Sequence, residues 1–154
     1  MRLLRSTCWL LIAGVLSPQR AVTAQDLKVL VLDALDGKPQ ANVEVDYICV
    51  GPPSNSAPKR VTTTDEGFAE ISNFCNEKQR VEILVFPPND KKEQCGGDAG
   101  INFNEALSIG FVSKPDSDGG IWCPTKVSRT LKPVPGQVII FVKKPTWWQS
   151  HVAG

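Results

Sequence analysis

The sequence predicts an all-β fold, a sandwich of two sheets built to hold its shape outside the cytosol. Three observations carry this. Short apolar runs of strand length recur along the chain, several with strict period-two alternation. Twelve prolines and twelve glycines are spread through the chain, leaving few stretches fit for a long helix. Four cysteines, Cys49, Cys75, Cys95 and Cys123, follow a leader-like N-terminus, an even number suited to disulfides.

The chain opens with "MRLLRSTCWLLIAGVLSPQRAVTAQD". Arg2 and Arg5 precede an apolar run from Cys8 to Leu16, and Val22-Thr23-Ala24 supplies small residues for cleavage. That layout predicts a secretory signal peptide over 1–24 and a mature start near Gln25. The run is well short of the ~20 apolar residues of a membrane-spanning helix. Cys8 begins the run, whereas a lipoprotein cysteine would follow it. The expected destination is export, periplasmic or secreted, in a bacterial setting.

Residues 1–24 carry three of the chain's 17 basic residues and none of its 16 acidic ones, so the remainder is slightly acidic. It has no long run of one sign, and Lys59-Arg60, Lys91-Lys92 and Lys143-Lys144 are isolated pairs. No stripe of the kind that neutralises a phosphate backbone is visible, so nucleic acid is not an expected partner. What remains fits one domain over 25–144, followed by a tail over 145–154.

"LKVLVLD" (27–33) reads as the first strand, and Asp36-Gly37 with Pro39 as the turn that ends it. "NVEVDYICV" (42–50) alternates, with Val43, Val45, Tyr47 and Cys49 on one face and Glu44 and Asp46 on the other. A proline- and serine-rich loop, "GPPSNSAPK", leads to "RVTTT" and "GFAEI", two strands joined at Asp65-Glu66-Gly67. There Asp65 is expected to accept from backbone N–H groups ahead of it while Gly67 takes positive φ. A calcium loop would need more oxygen ligands at regular spacing, so no metal is expected here. "RVEILVFPP" (80–88) is a strand stopped by prolines, and "GQVIIFVKK" (136–144) is apolar on both faces, as for a strand covered on both sides.

Residues 89–135 form a long insertion clipped by disulfide. Leu107, Ile109 and Phe111 alternate and suggest one strand within it, and "IWCPTKVSRTLKPVPG" a further edge strand. The four cysteines allow three connectivities. Local pairing, Cys49–Cys75 and Cys95–Cys123, is favoured because closing a shorter loop is cheaper. Zinc would call for CxxC spacing or histidines, and His151 is the single histidine.

Residues 27–86 resemble the transthyretin-like sandwiches, including the carboxypeptidase regulatory-like domains. The resemblance rests on "VLDALDGKPQANVEV", "TTTDEGFAEI" and "RVEILVF", in that order. It implies about seven strands in two sheets. It also raises two activities. Hydroxyisourate hydrolases of this group carry a histidine where this chain has Leu30, and a closing "YRGS" where it has "TWWQSHVAG". Leucine can neither shuttle a proton nor position a water. Intradiol dioxygenases bind iron with two tyrosines and two histidines, and this chain has one of each.

Other constellations are no stronger. His151 sits at the chain end, and Asp33 and Asp36, or Asp116 and Asp118, lie beside glycines as turn residues do. The expectation is therefore no catalytic residue and no cofactor. Trp147-Trp148 follow the last strand, and adjacent side chains of an extended segment face opposite ways, so one is expected outside. An indole offers a flat apolar face with one N–H donor, suited to a sugar ring or a partner protein. Trp147, Trp148 and Trp122 are the candidate binding residues. The leading expectation is a non-catalytic exported module that binds carbohydrate or a cell-envelope component. A structural or assembly subunit of the envelope is the alternative, and a hydrolase using loops of 89–135 a third.

Overall fold

The computed structural model describes residues 26–72, 75–76, 78–88, 92–96, 99–114 and 121–146. The expected signal peptide, Asp116, Asp118, Trp147, Trp148 and His151 lie outside them. The described chain is mostly β and forms two sheets. Seven strands have four residues or more: β1 (Leu27–Asp33), β2 (Glu44–Val50), β3 (Lys59–Thr62), β4 (Phe68–Ile71), β5 (Arg80–Phe86), β7 (Ala99–Asn102) and β9 (Gln137–Lys143). Two further strands, β6 (Glu93–Gln94) and β8 (Phe111–Val112), have two residues each.

In the first sheet β1 lies between β4, antiparallel, and β9, parallel. The far edge of β9 is shared: β8 runs parallel along its first half and β6 antiparallel along its end. The second sheet has the order β3-β2-β5-β7, antiparallel throughout. Period-two patterning explains how the sheets meet. Val29 and Val31 of β1, Val45, Tyr47 and Cys49 of β2, Val81 and Ile83 of β5, and Val138, Ile140 and Val142 of β9 all enter one core. Each is under a tenth exposed, and each aliphatic side chain so buried contributes about 1.5–3 kcal/mol.

A second, smaller apolar cluster lies on the other face of the first sheet. Leu32, Ala34, Ile139 and Phe141 are buried there with Cys95 and Cys123, and Leu30, Val112, Ile121, Val127 and Leu131 pack against them. This explains why β9 is apolar at successive positions. Its outer face is roofed by chain from the 89–135 region. That region is divided, because Ala99–Asn102 completes the second sheet while segments before and after it border and cover the first.

Two sequence expectations within this region are corrected. Leu107 and Ile109 do not belong to a strand: α1 (Phe103–Ser108) occupies this stretch. Phe103, Ala106 and Leu107 follow the i, i+3, i+4 spacing of a helix face, and the Asn102 side chain caps the start by accepting from Glu105 N. Ile109 is left exposed at the helix end, and Phe111 opens β8. The segment 121–136 holds no edge strand. It makes one bridge, Ile121 to Cys95, and a 3-10 turn at Ser128–Thr130. Pro124, Pro133 and Pro135 have no N–H to give a ladder.

Candidate binding surface

The two turn motifs singled out by sequence meet in space and serve the frame. Gly37 has φ +73° and donates its N–H to the Asp33 carbonyl at 2.9 Å. Gly67 has φ +78°, and a Cβ there would lie 2.8 Å from Pro39 Cβ and 3.0 Å from the Val31 carbonyl oxygen. Only glycine allows that approach between the Thr64–Phe68 turn and the segment after Gly37. Thr63, buried, completes the junction by accepting from Val43 N at 2.9 Å and donating to the Gln40 carbonyl at 2.7 Å. Glu66 is the engaged carboxylate, its pKa lowered by a hydrogen bond with the Thr64 side chain.

The Asp33 and Asp36 carboxylates are committed to the first turn. Asp33 accepts from Leu35 N at 2.8 Å and from Lys92 Nζ at 2.7 Å, and Lys92 also donates to Gln40 Oε1 at 2.6 Å. Asp36 accepts from Lys38 N at 3.0 Å and pairs with Lys38 Nζ at 2.9 Å, which holds its carboxyl below the ordinary range. Sequence reasoning missed Lys92 as a clamp, because nothing local announces that a lysine after a long gap returns to β1. Leu30, which stands where the hydrolases have histidine, packs against the outer apolar cluster.

The cysteines pair as Cys49–Cys75 and Cys95–Cys123. The first bridge lies in the inter-sheet core and the second in the outer cluster. Two disulfides fit an oxidising compartment. Among the described residues no group of three His, Cys, Asp or Glu is placed to hold a metal, and no helix is long and apolar enough to cross a membrane.

Trp122 is the one candidate binding residue described. It is 63 % exposed, while its neighbour Cys123 is fully buried and bridged to Cys95. Alternation in an extended segment produces this contrast: one residue goes down into the cluster and the next stands out. The bridge, together with the Gly96 N–H donated to the Ile121 carbonyl at 3.2 Å, fixes the backbone from which the indole projects. An open hollow of about 440 Å³ lies elsewhere, lined by Pro52, Pro53, Asn76 and Lys78. Its Asn76 amide is already engaged, donating to the Pro52 carbonyl at 3.3 Å and accepting from Lys78 N at 3.0 Å.

On the outer face of the second sheet, Arg60 reaches Asp46 with two contacts at 2.5 and 2.7 Å and Glu44 with one at 2.6 Å. Its guanidinium lies 5.7 Å from the centre of the Phe86 ring. Arg60 holds the Asp46 carboxyl below its usual range. Glu44 and Asp46 were legible as one polar face, but their shared cation depends on strand register.

No family model, curated protein or solved structure matches the chain.

Proposed function

We propose that this chain is an exported, non-catalytic binding module of transthyretin-like architecture that takes carbohydrate or a cell-envelope component. The observation that carries the reading is the exposed Trp122 indole beside a buried, disulfide-bonded Cys123. A rigid backbone under an exposed aromatic lowers the ordering cost of binding, and a flat indole face suits the apolar face of a sugar ring. The two-sheet sandwich and the meeting of the "GKP" and "TDEG" turns support the transthyretin-like assignment. The packing of Leu30 against apolar neighbours supports the non-catalytic part. The two bridges and the leader-like N-terminus support export to the periplasm or beyond.

The test is titration of a glycan panel against the mature protein and its Trp122→Ala variant. Loss of a central aromatic anchor is expected to weaken binding by about tenfold or more. Equal affinities would remove Trp122 from the site. The assembly reading is favoured by one observation, the exposure of Leu84 and Phe86 on the uncovered face of the second sheet. A protein that remains monomeric at high concentration in size-exclusion chromatography counts against it.

A further inference from the structure

We infer that the segment around Trp122 is an anion-selective subsite, and that the polymer it takes is an acidic polysaccharide. This rests on the binding-module reading and specifies its ligand. From Ile121 to Thr146 the chain has five cations, Lys126, Arg129, Lys132, Lys143 and Lys144, and not one carboxylate. Lys126, Arg129 and Lys132 are exposed. Lys28, Lys38, Arg60 and Lys92 each have a carboxylate partner, whereas these three, like Lys78 and Arg80, have no ion pair among the described residues. The β1–β2 turn comes close, since a Cβ on Gly37 would lie 3.1 Å from Val127 Cγ1. Its carboxylate Asp36 is occupied by Lys38.

The cations also stand on a fixed base. Val127 and Leu131 pack down onto the outer cluster between them. The Thr125 carbonyl accepts from Arg129 N and Ser128 Oγ, both at 3.0 Å, and the Val127 carbonyl accepts from Thr130 N at 3.1 Å and Thr130 Oγ1 at 2.8 Å. Lys126, Arg129 and Lys132 follow one another at three-residue spacing with no acid between them, and a bound anion offsets such a run of like charge. Arg129 can meet a carboxylate or sulfate with two parallel N–H bonds, and the lysines act as point charges beside it.

The geometry favours a glycan over other polyanions. Trp122, four residues before Lys126, adds a stacking face, which a sugar ring carrying an acid group uses together with the cations. A membrane surface would want an amphipathic helix with an apolar face to insert, and 121–136 has only a three-residue 3-10 turn. Nucleic acid would want a longer run of phosphate contacts than three exposed cations provide.

The experiment titrates the mature protein with polygalacturonate, with neutral dextran, and with vesicles of phosphatidylserine and phosphatidylcholine. A Lys126→Gln, Arg129→Gln, Lys132→Gln triple variant is run alongside, its fold checked by thermal melting. Polygalacturonate binding that weakens with added salt, and falls about tenfold or more in the triple variant, is the expected result. Dextran binding equal to that of polygalacturonate and unchanged in the triple variant would overturn the inference and leave the carbohydrate-binding reading intact. Binding to vesicles but not to polygalacturonate would also overturn it. Binding to no glycan, acidic or neutral, would count against both.

Discussion

Leu32, Ile139 and Phe141 face away from the inter-sheet core, as Asp46, Leu84 and Phe86 do on the opposite sheet, yet the first three are buried and Leu84 and Phe86 are 40 % and 46 % exposed. The first sheet is roofed by Cys95, Ile121, Cys123, Val127 and Leu131, whereas the second presents its outer face to solvent. The difference shows in side-chain choice. A strand covered on both sides, β9, is apolar at consecutive positions, while β2 alternates valine, tyrosine and cysteine with carboxylates and partly buried aliphatics. The uncovered face keeps charges in register, with Asp46 opposite both Arg60 and Leu84. The roof has its own fastenings, one disulfide and the Lys92 clamp on Asp33 and Gln40, so it is a local unit resting on a complete sandwich.

The largest expected effect is at Phe141. It is fully buried between β9 and the roof, and Phe141→Ala is expected to cost about 3–5 kcal/mol. Phe86→Ala, on the open face, is expected to cost about 1 kcal/mol or less, because little apolar area leaves water there. Urea denaturation of the two variants compares the faces directly. Similar losses would mean that the roof contributes no more burial than open solvent, and the comparison would fail.

The disulfides come next and sharpen the contrast. Their sequence separations are 26 and 28, so loop entropy alone gives each about 3.5 kcal/mol. Chain topology thus predicts equal global losses for Cys49→Ala/Cys75→Ala and Cys95→Ala/Cys123→Ala, and the site of local opening distinguishes them. Without Cys95–Cys123, limited proteolysis is expected to cut first within 121–136 while the sandwich core stays protected. Without Cys49–Cys75, which lies in the inter-sheet core, protection is expected to fall across both sheets. First cuts in the β2–β5 region of the Cys95/Cys123 variant would show that the roof is not a separate unit.

The same contrast explains what sequence could reveal. β1, β2, β5 and β9 were legible because one-face or two-face burial leaves a period-two or continuous apolar pattern. The local cysteine pairing was legible from loop length. The 103–112 stretch was not, because Leu107, Ile109 and Phe111 imitate a strand while Phe103, Ala106 and Leu107 form a helical stripe. The Asn102 cap and Glu105 after it were the signal that decides between them. The roof was hidden for a different reason. Val127 and Leu131 sit among prolines and lysines without periodicity, and their burial comes from long-range contact with Ile139 and Phe141. For the candidate site, Trp122 was visible only as a residue type. Its exposure follows from the Cys123 bridge, and that Lys126, Arg129 and Lys132 have no ion pair among the described residues is a matter of tertiary placement.

The smallest effect belongs to the open face. Arg60 depresses the Asp46 carboxyl below its ordinary 3.8, by hydrogen bonding first and by charge second. A carboxylate with a lowered folded-state pKa stabilises the fold above its unfolded value, and that contribution disappears as pH falls through the folded value. Arg60 is about half exposed and Asp46 a quarter, so solvent screening keeps the contribution of the pair small. Asp46→Asn is therefore expected to lower stability slightly near neutral pH and not at all once the pH is well below 3.8. Urea midpoints of wild type and variant at both ends of that window check the sign, and added salt is expected to shrink the neutral-pH gap. A gap that persists in acid would assign Asp46 a packing role, and the open face would then resemble the roofed one more than its exposure implies.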